Sequence, residues 1–289
     1  MVIRTDPANP RGIVWAASYP KSGNTWVRAF LHALYHAILG DLSEEIDINR
    51  INDFAANDRE ASRFLKYLSG PAHLAGPAEI AAARPNVQAD IVRENEGTIL
   101  VKTHNALAND HGYPLINLGV SAGAIYIVRN PLDVAISLAH FRGVSIEQVI
   151  ADMSQPGFGF PTNVHHVYFV AGTWSNNVRS WTERPNPVVH VVRYEDLLED
   201  PVGGFASIAR HVVMTPTRDQ LVQAIDAVSF ERLQRAEASN GFQEKPASAE
   251  RFFRSGRAGE WRKVLTDAQV ERIVSDHGDQ MRRFGYLPQ

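Results

Sequence analysis

The stretch SYPKSGNTWVR (residues 18–28) lies between an apolar run, GIVWAAS (12–18), and a helical pattern. Strand, glycine-bearing turn and helix are the parts of a phosphate loop, yet the order of the residues is unusual. A nucleoside-triphosphate loop reads GxxxxGK[ST], with its lysine directly after the second glycine. Here Lys21 precedes Gly23, and no glycine opens the loop at Ser18. The physical elements survive the change. Gly23 lets the backbone approach a ligand, the N–H groups at the helix start face an anion, and Ser22, Asn24 and Thr25 add donors. A plain strand, turn and capped helix has the same outline, so this loop alone leaves both readings open.

Working outward, three further apolar runs read as buried strands: TILVKTH (98–104), AIYIVR (124–129) and VVHVVR (188–193), each rich in β-branched residues and followed by polar turn chemistry. Helical patterns separate them. Trp26, Phe30, Ala33, Ala37 and Ile38 recur along one helix face that stops at Gly40. Asn130 suits an N-cap and Pro131 the first helical position, ahead of an apolar face of Val134, Leu138 and Phe141. This alternation predicts an α/β fold: a single domain over 1–289 with a central parallel sheet flanked by helices. Residues 41–97 read as a helical insertion broken at SGPAHLAGP and ARPN, and residues 203–289 as mainly helical around a Gly-, Ser- and Arg-rich loop at 238–261.

Composition narrows the function. Among 289 residues, 29 basic and 32 acidic side chains leave a formal charge of −3, without the basic excess of a nucleic-acid binder, so any anion site must be local. With no cysteine, disulfides, thiolate zinc sites and a cysteine nucleophile are excluded, and a metal would need histidine or carboxylates. The opening MVIRTDPANPRG holds no apolar leader and no stretch is long enough to span a membrane, which suggests a cytoplasmic protein.

In an open parallel sheet, ligands bind beyond the carboxyl ends of the strands. The first strand delivers Lys21 to Thr25 there, the second Lys102 and His104, the third Arg129 and then Ser137, the fourth Arg193 and Tyr194. Several cations around one crevice suggest a ligand with several negative charges. Arg129 is suited to a bidentate phosphate contact, and Ser137, two helical turns past Asn130, returns to the same face. His104 is the candidate base, because a neutral imidazole accepts a proton near physiological pH. Taken singly, Ser137 reads as a tolerated helix serine and His104 as a structural histidine. His165 and His166 are adjacent, not spaced as a helical metal pair, and read as surface or pocket lining.

Several segments together resemble the cytosolic sulfotransferase family. YPKSGNTW is similar to its signature for the 5'-phosphosulfate of 3'-phosphoadenosine 5'-phosphosulfate (PAPS), and RNPLDVAIS to its signature for the 3'-phosphate. RYEDLLEDP and FRSGRAGEWRKVLT resemble later family segments in the same order, so the likeness runs from about 12 to 266. The resemblance implies the P-loop-like sulfotransferase fold and PAPS as co-substrate, leaving adenosine 3',5'-bisphosphate and calling for no metal. It gives Lys21 the leaving phosphate, with Ser22, Gly23, Asn24, Thr25 and Trp26 completing the 5' site. Arg129 and Ser137, with Arg254, Ser255 and Gly256 from the 238–261 loop, would hold the 3'-phosphate. Tyr194, Ser229 and Phe230 would surround adenine.

In that scheme His104 is the general base and Lys102 an auxiliary cation for transfer to a small-molecule hydroxyl. Acceptor contacts would come from His140, Phe141, Phe158, Phe160, Tyr168 and Phe169, an aromatic set that favours a phenol or hydrophobic alcohol, although such a cluster equally suits a core. The stretch SQPGFGFPTN (154–163) has the composition of a gating loop. Asn24 stands where many family members have threonine, and Ser255 where many are basic, which shifts weight to Arg129, Arg254 and Arg257. A P-loop small-molecule kinase and a non-catalytic nucleotide-binding protein remain alternatives. The expected partner is a small-molecule acceptor rather than a nucleic acid or membrane, with a monomer or homodimer left open.

Overall fold

The computed structural model describes residues 11–43 and 45–288; residues 1–10, read above as carrying no apolar leader, lie outside the described residues. Gly12–Ser18 (β1) runs into Asn24–Leu39 (α1), and Gly40, at φ 79°, stops the helix by donating to the Ala37 carbonyl. Ile51–Phe54 (α2), Ala55–Asn57 (β2), Ala61–Phe64 (α3) and Pro77–Arg93 (α4) lead to Thr98–Thr103 (β3). A small hairpin, Asn109–Asp110 (β4) with Tyr113–Pro114 (β5), precedes Ser121–Val128 (β6), Pro131–Arg142 (α5) and Ile146–Met153 (α6). Trp174–Thr182 (α7), Val189–Arg193 (β7), Tyr194–Glu199 (α8), Pro201–His211 (α9) and Arg218–Ala227 (α10) follow. The chain closes with Phe230–Asn240 (α11), Trp261–Val264 (α12) and Asp267–Arg283 (α13).

Five strands form one sheet in the order β2-β3-β1-β6-β7, each neighbouring pair parallel. Every residue of β1 is buried, which is why it reads as one continuous apolar run. Its alternate side chains serve two cores. Val14 and Ala16 pack with Phe30 and Ala33 of α1, whereas Ile13, Trp15 and Ala17 pack with Leu132 and Leu138 of α5. Because α1 and α5 cover opposite faces, the loops after β1 and β6 diverge, and a crevice opens at that switch point.

Three local expectations need correction. The 41–97 insertion is not wholly helical: Ala55–Asn57 pairs in parallel with β3 and extends the sheet to a fifth strand. ARPN does not break α4, which passes through Pro85 as one helix of 17 residues. An interior proline costs about 3 kcal/mol, but Ile80, Ala83, Val87 and Ile91 are buried along this helix, and the Pro85 carbonyl accepts from Asn117 Nδ2 at 3.0 Å. Ile38 leaves the core face and stands exposed, since Ala37 already fills the last buried position of α1.

The N-cap role of Asn130 is as the sequence predicts, its side chain accepting from the Leu132 N–H at 3.0 Å. Residues 238–240 belong to α11, so the late loop proper spans 241–260. No helix among the described residues is long and apolar enough to cross a membrane.

Candidate active site

All five strands of the sheet end at one cleft of about 1680 Å³, bordered by residues that follow β1, β2, β3, β6 and β7, by α5 and by the late loop. The loop after β1 forms its floor. Gly23 caps α1 at φ 106° without a side-chain cap bond, so the first helical N–H groups are left for a ligand. A Cβ at Gly23 would lie 2.7 Å from Tyr194 Cδ2, a contact only glycine avoids. Lys21 also adopts a positive φ, 67°, a strained region for a lysine.

That backbone brings the Lys21 ammonium between two rings, 4.3 Å from the Phe141 centroid and 4.0 Å from that of Phe252. Burial, with Arg129 and Lys102 nearby, lowers its pKa to about 7. Against expectation, Ser22 does not itself border the cleft; it is fully buried beneath Lys21 and Gly23, and its Oγ has no partner among the described residues.

Not every loop donor faces the cleft with its side chain. Asn24 Nδ2 donates to the Ala16 carbonyl at 2.7 Å and its Oδ1 accepts from Arg28 Nε at 2.9 Å, so this amide braces the loop. Thr25 Oγ1 accepts from Arg28 at 3.2 Å, and Trp26 Nε1 donates to the Val228 carbonyl at 3.0 Å; Asn24, Thr25 and Trp26 all border the cleft nonetheless.

At the end of β3, His104 and Lys102 border the same cleft. His104 Nδ1 donates to the Ser18 carbonyl at 2.9 Å, a bond only the Nδ1–H tautomer makes, and Nε2 therefore carries the lone pair. Burial first, then Lys102, holds its pKa down at about 3, so the ring is neutral. Lys102 Nζ donates to Glu244 Oε2 at 2.7 Å, and the same carboxylate takes Arg28 Nη2 at 2.8 and 3.0 Å.

Glu244 went unnoticed in the sequence. It belongs to the late loop and ties that loop to α1 and to the end of β3. Burial acts to raise its pKa, but Arg28 and Lys102 outweigh it and hold the carboxyl well below the ordinary range, while burial lowers Lys102 to about 8. Glu244→Gln leaves two cations side by side in a site where Arg28 is fully buried. The expected result is a loss of about 3–5 kcal/mol of folding stability, measured by urea unfolding.

Arg129, beyond β6, spans the cleft rather than pointing freely into it. Its Nη1 donates to the Lys21 carbonyl at 3.0 Å, its Nη2 to the Arg257 carbonyl at 3.1 Å, and its guanidinium lies 4.4 Å from the Tyr194 ring centre. Nε of Arg129 is buried without a partner among the described residues. Ser137, Tyr194, Phe230, Ser255 and Gly256 border the same end. Gly256, at φ 63°, lets the late loop pass Phe230, where an added Cβ would come within 2.2 Å. Arg254 borders the cleft while paired with Glu260. Ser229 does not border it; it stands at the N-cap of α11.

The acceptor assignments divide. Phe141, Phe160 and Phe169 border the cleft as a row, with ring centres 6.1 and 5.2 Å apart, and Phe169 lies 5.7 Å from the His104 ring. His140, Phe158 and Tyr168 do not border it. His140 faces solvent from the last turn of α5. Phe158 packs into the core against Tyr19, ring centres 6.1 Å apart. Tyr168 turns away to donate to Asp110 and to contact the Pro77 carbonyl. Of the expected gating stretch, Phe158 and Phe160 are held by backbone bonds to residues 169–172, so it stands as a wall of the cleft. Sequence reading also missed Arg59, which follows the unforeseen β2 and borders the cleft beside His165 and His166.

The sulfotransferase domain family matches residues 12–285 of the chain. Sulfotransferase 1A1 of Canis lupus familiaris is 25% identical over 275 residues, covering 93% of this chain and 83% of that protein. Sulfotransferase 1E1 of Homo sapiens is 25% identical over 287 residues, covering 95% and 85%. Among solved structures, mouse sulfotransferase SULT7A1 complexed with PAP superposes with a TM-score of 0.61 at 18% identity, covering 98% of this chain and 86% of that one, a likeness of fold.

Proposed function

We propose, from the premise that this chain belongs to the sulfotransferase family, that its cleft carries a sulfuryl group from PAPS to a hydroxyl of a small-molecule acceptor, with His104 as the base. The observation that carries this reading is the pairing of a neutral His104, its Nε2 lone pair set by the Ser18 carbonyl, with a desolvated Lys21 across the same cleft. The residues present fit a nucleotide with two phosphate ends. The uncapped start of α1 and the orphan Ser22 Oγ suit one anionic end, and Arg129 with its unpartnered Nε suits the other. Trp26, Tyr194 and Phe230 supply ring surface for a base between them.

In the transfer, the acceptor oxygen forms a bond to sulfur as the bond from sulfur to the bridging phosphate oxygen breaks. The acceptor proton passes to His104 Nε2, and the negative charge left on the departing bisphosphate is met by Lys21. A base with so low a pKa matches a proton that leaves late, because the acceptor oxygen becomes strongly acidic once it begins to bond sulfur. Lys102, already paired with Glu244, acts chiefly by keeping the imidazole uncharged until that moment. The reading includes a cytoplasmic setting and a monomer or homodimer.

Adenosine 3',5'-bisphosphate tests it directly. At a concentration about 100 times its Kd, a ligand bound only by the native state adds about 2.7 kcal/mol, so the melting temperature should rise by several degrees without magnesium. Stabilisation by ATP with magnesium and not by the bisphosphate would favour a kinase. A bisphosphate shift with no sulfate transfer to any of a panel of phenols and alcohols would leave only a binder.

A further inference from the structure

We propose that the acceptor is a small hydroxylated aromatic acid whose carboxylate is held by Arg59 while its hydroxyl lies against His104, an inference that rests on the sulfuryl-transfer reading above. The geometry begins at β2, whose end delivers Arg59 to the cleft. Its backbone is fixed by the Val167 N–H, which donates to the Arg59 carbonyl at 2.8 Å, and Arg59 Nε donates back to the Val167 carbonyl at 2.7 Å. The guanidinium lies 4.6 Å from the centre of the Phe169 ring. Both Nη groups are left without a protein partner among the described residues, and they form the planar pair of donors that a carboxylate accepts.

Charge bookkeeping along the cleft isolates this group. Lys102 is paired with Glu244, Arg63 with Glu60 and Glu94, Arg142 with Asp152, and Arg254 with Glu260. Lys21 and Arg129 serve the nucleotide, and Lys245 donates to the Ala249 carbonyl at 3.0 Å. Asp58, next in sequence to Arg59, is fully buried behind the wall, where Arg84, Asn105, Thr103 and Gln88 surround it. No carboxylate among the described residues lies within ion-pair distance of Arg59; Asp58 acts on it only from beyond that distance and is shared with Arg84, so the acceptor end holds an anchored guanidinium with no ion pair of its own.

The ligand's dimensions follow from the same row of rings. The Arg59 guanidinium carbon lies 4.6 Å and the His104 ring centre 5.7 Å from the centre of Phe169, so those two groups are no farther apart than the two distances laid end to end. One ring with a short acidic arm spans that gap; a large polycyclic body does not need both contacts. Phe160 and Phe141 continue the row toward Lys21, giving the ring a face to lie on.

The test compares 3-(4-hydroxyphenyl)propanoate with its uncharged primary amide as acceptors, with PAPS present, in the parent protein and in Arg59→Met and Arg59→Lys. A hydrogen-bonded charge pair predicts a kcat/KM at least about tenfold higher for the acid in the parent, carried mainly by KM. That acid-to-amide ratio should fall to near one in Arg59→Met and recover in part in Arg59→Lys. A merely structural role for Arg59 would lower the melting temperature and both substrates alike, leaving the ratio unchanged, and that outcome overturns the proposal. Equal use of acid and amide by the parent, or no turnover of the acid, also overturns it. Stabilisation by adenosine 3',5'-bisphosphate is measured alongside: intact, it confines the failure to the acceptor; absent in the parent, it removes the nucleotide reading and this inference together.

Discussion

Replacing His104 by alanine should lower kcat by about 10²- to 10⁴-fold while the protein keeps its thermal stabilisation by adenosine 3',5'-bisphosphate. The two halves belong together, because His104 lies at the acceptor side and its Nδ1 bonds Ser18 alone, whereas the nucleotide contacts come from the loop after β1, from β6 and from the late loop. Full turnover in the alanine variant would sink the base assignment. The pH profile adds a second reading of the same group. Burial holds His104 below the ordinary imidazole value, at about 3, so its neutral form is favoured and activity owed to it is lost only as pH falls through that value. The acid limb of kcat/KM should therefore stay flat to about pH 4 with respect to this residue. A limb centred near 6.5 would mean that the reacting imidazole is not held as the structure holds it.

Lys21→Met should cost about 10²- to 10³-fold in kcat, the scale for removing one group aimed at developing charge, and it should also change how nucleotide binding depends on pH. In the free protein Lys21 is half protonated near pH 7, because the walls of the cleft and the nearby Arg129 and Lys102 disfavour its charge. An anionic nucleotide restores that charge, so binding takes up a proton above pH 7. Affinity for the bisphosphate should be level below about pH 7 with respect to Lys21 and weaken by up to about tenfold per unit above it. Calorimetry in two buffers of different ionisation enthalpy measures the uptake directly. The methionine variant loses the part of the slope owed to Lys21; an unchanged slope would assign the proton to another group.

Much of this architecture was legible because its physics is local. The β1, β3 and β6 runs sit in a sheet covered on both faces, so each is largely apolar, and the polar residues at their carboxyl ends fall at the crevice. That rule alone brought Lys21, Lys102, His104 and Arg129 together. What escaped was set by tertiary partners. Ala55–Asn57 has no β-branched residue and becomes a strand only by pairing with β3, which hid Arg59 along with it. Glu244 stands more than 100 residues from Arg28 and Lys102 in the chain, and a glutamate in a mixed polar loop carries no mark of its destination. The aromatic residues near 158–169 misled in another way, since density in sequence does not say which rings turn toward solvent and which toward core. Phe160 and Phe169 face the cleft and Phe158 does not.

The late loop is moored at both ends. Glu244 grips Arg28 and Lys102 at one end; at the other, Asp133 accepts the N–H groups of Gly259 and Trp261 at 2.7 and 3.0 Å. A segment fastened this way cannot swing clear like a door on one hinge. Room for exchange of the spent nucleotide must come from the residues between the moorings, and the reach of that short chain limits how wide the mouth becomes. Loosening either mooring should therefore shorten the residence time of the bound product before it alters the chemistry of transfer.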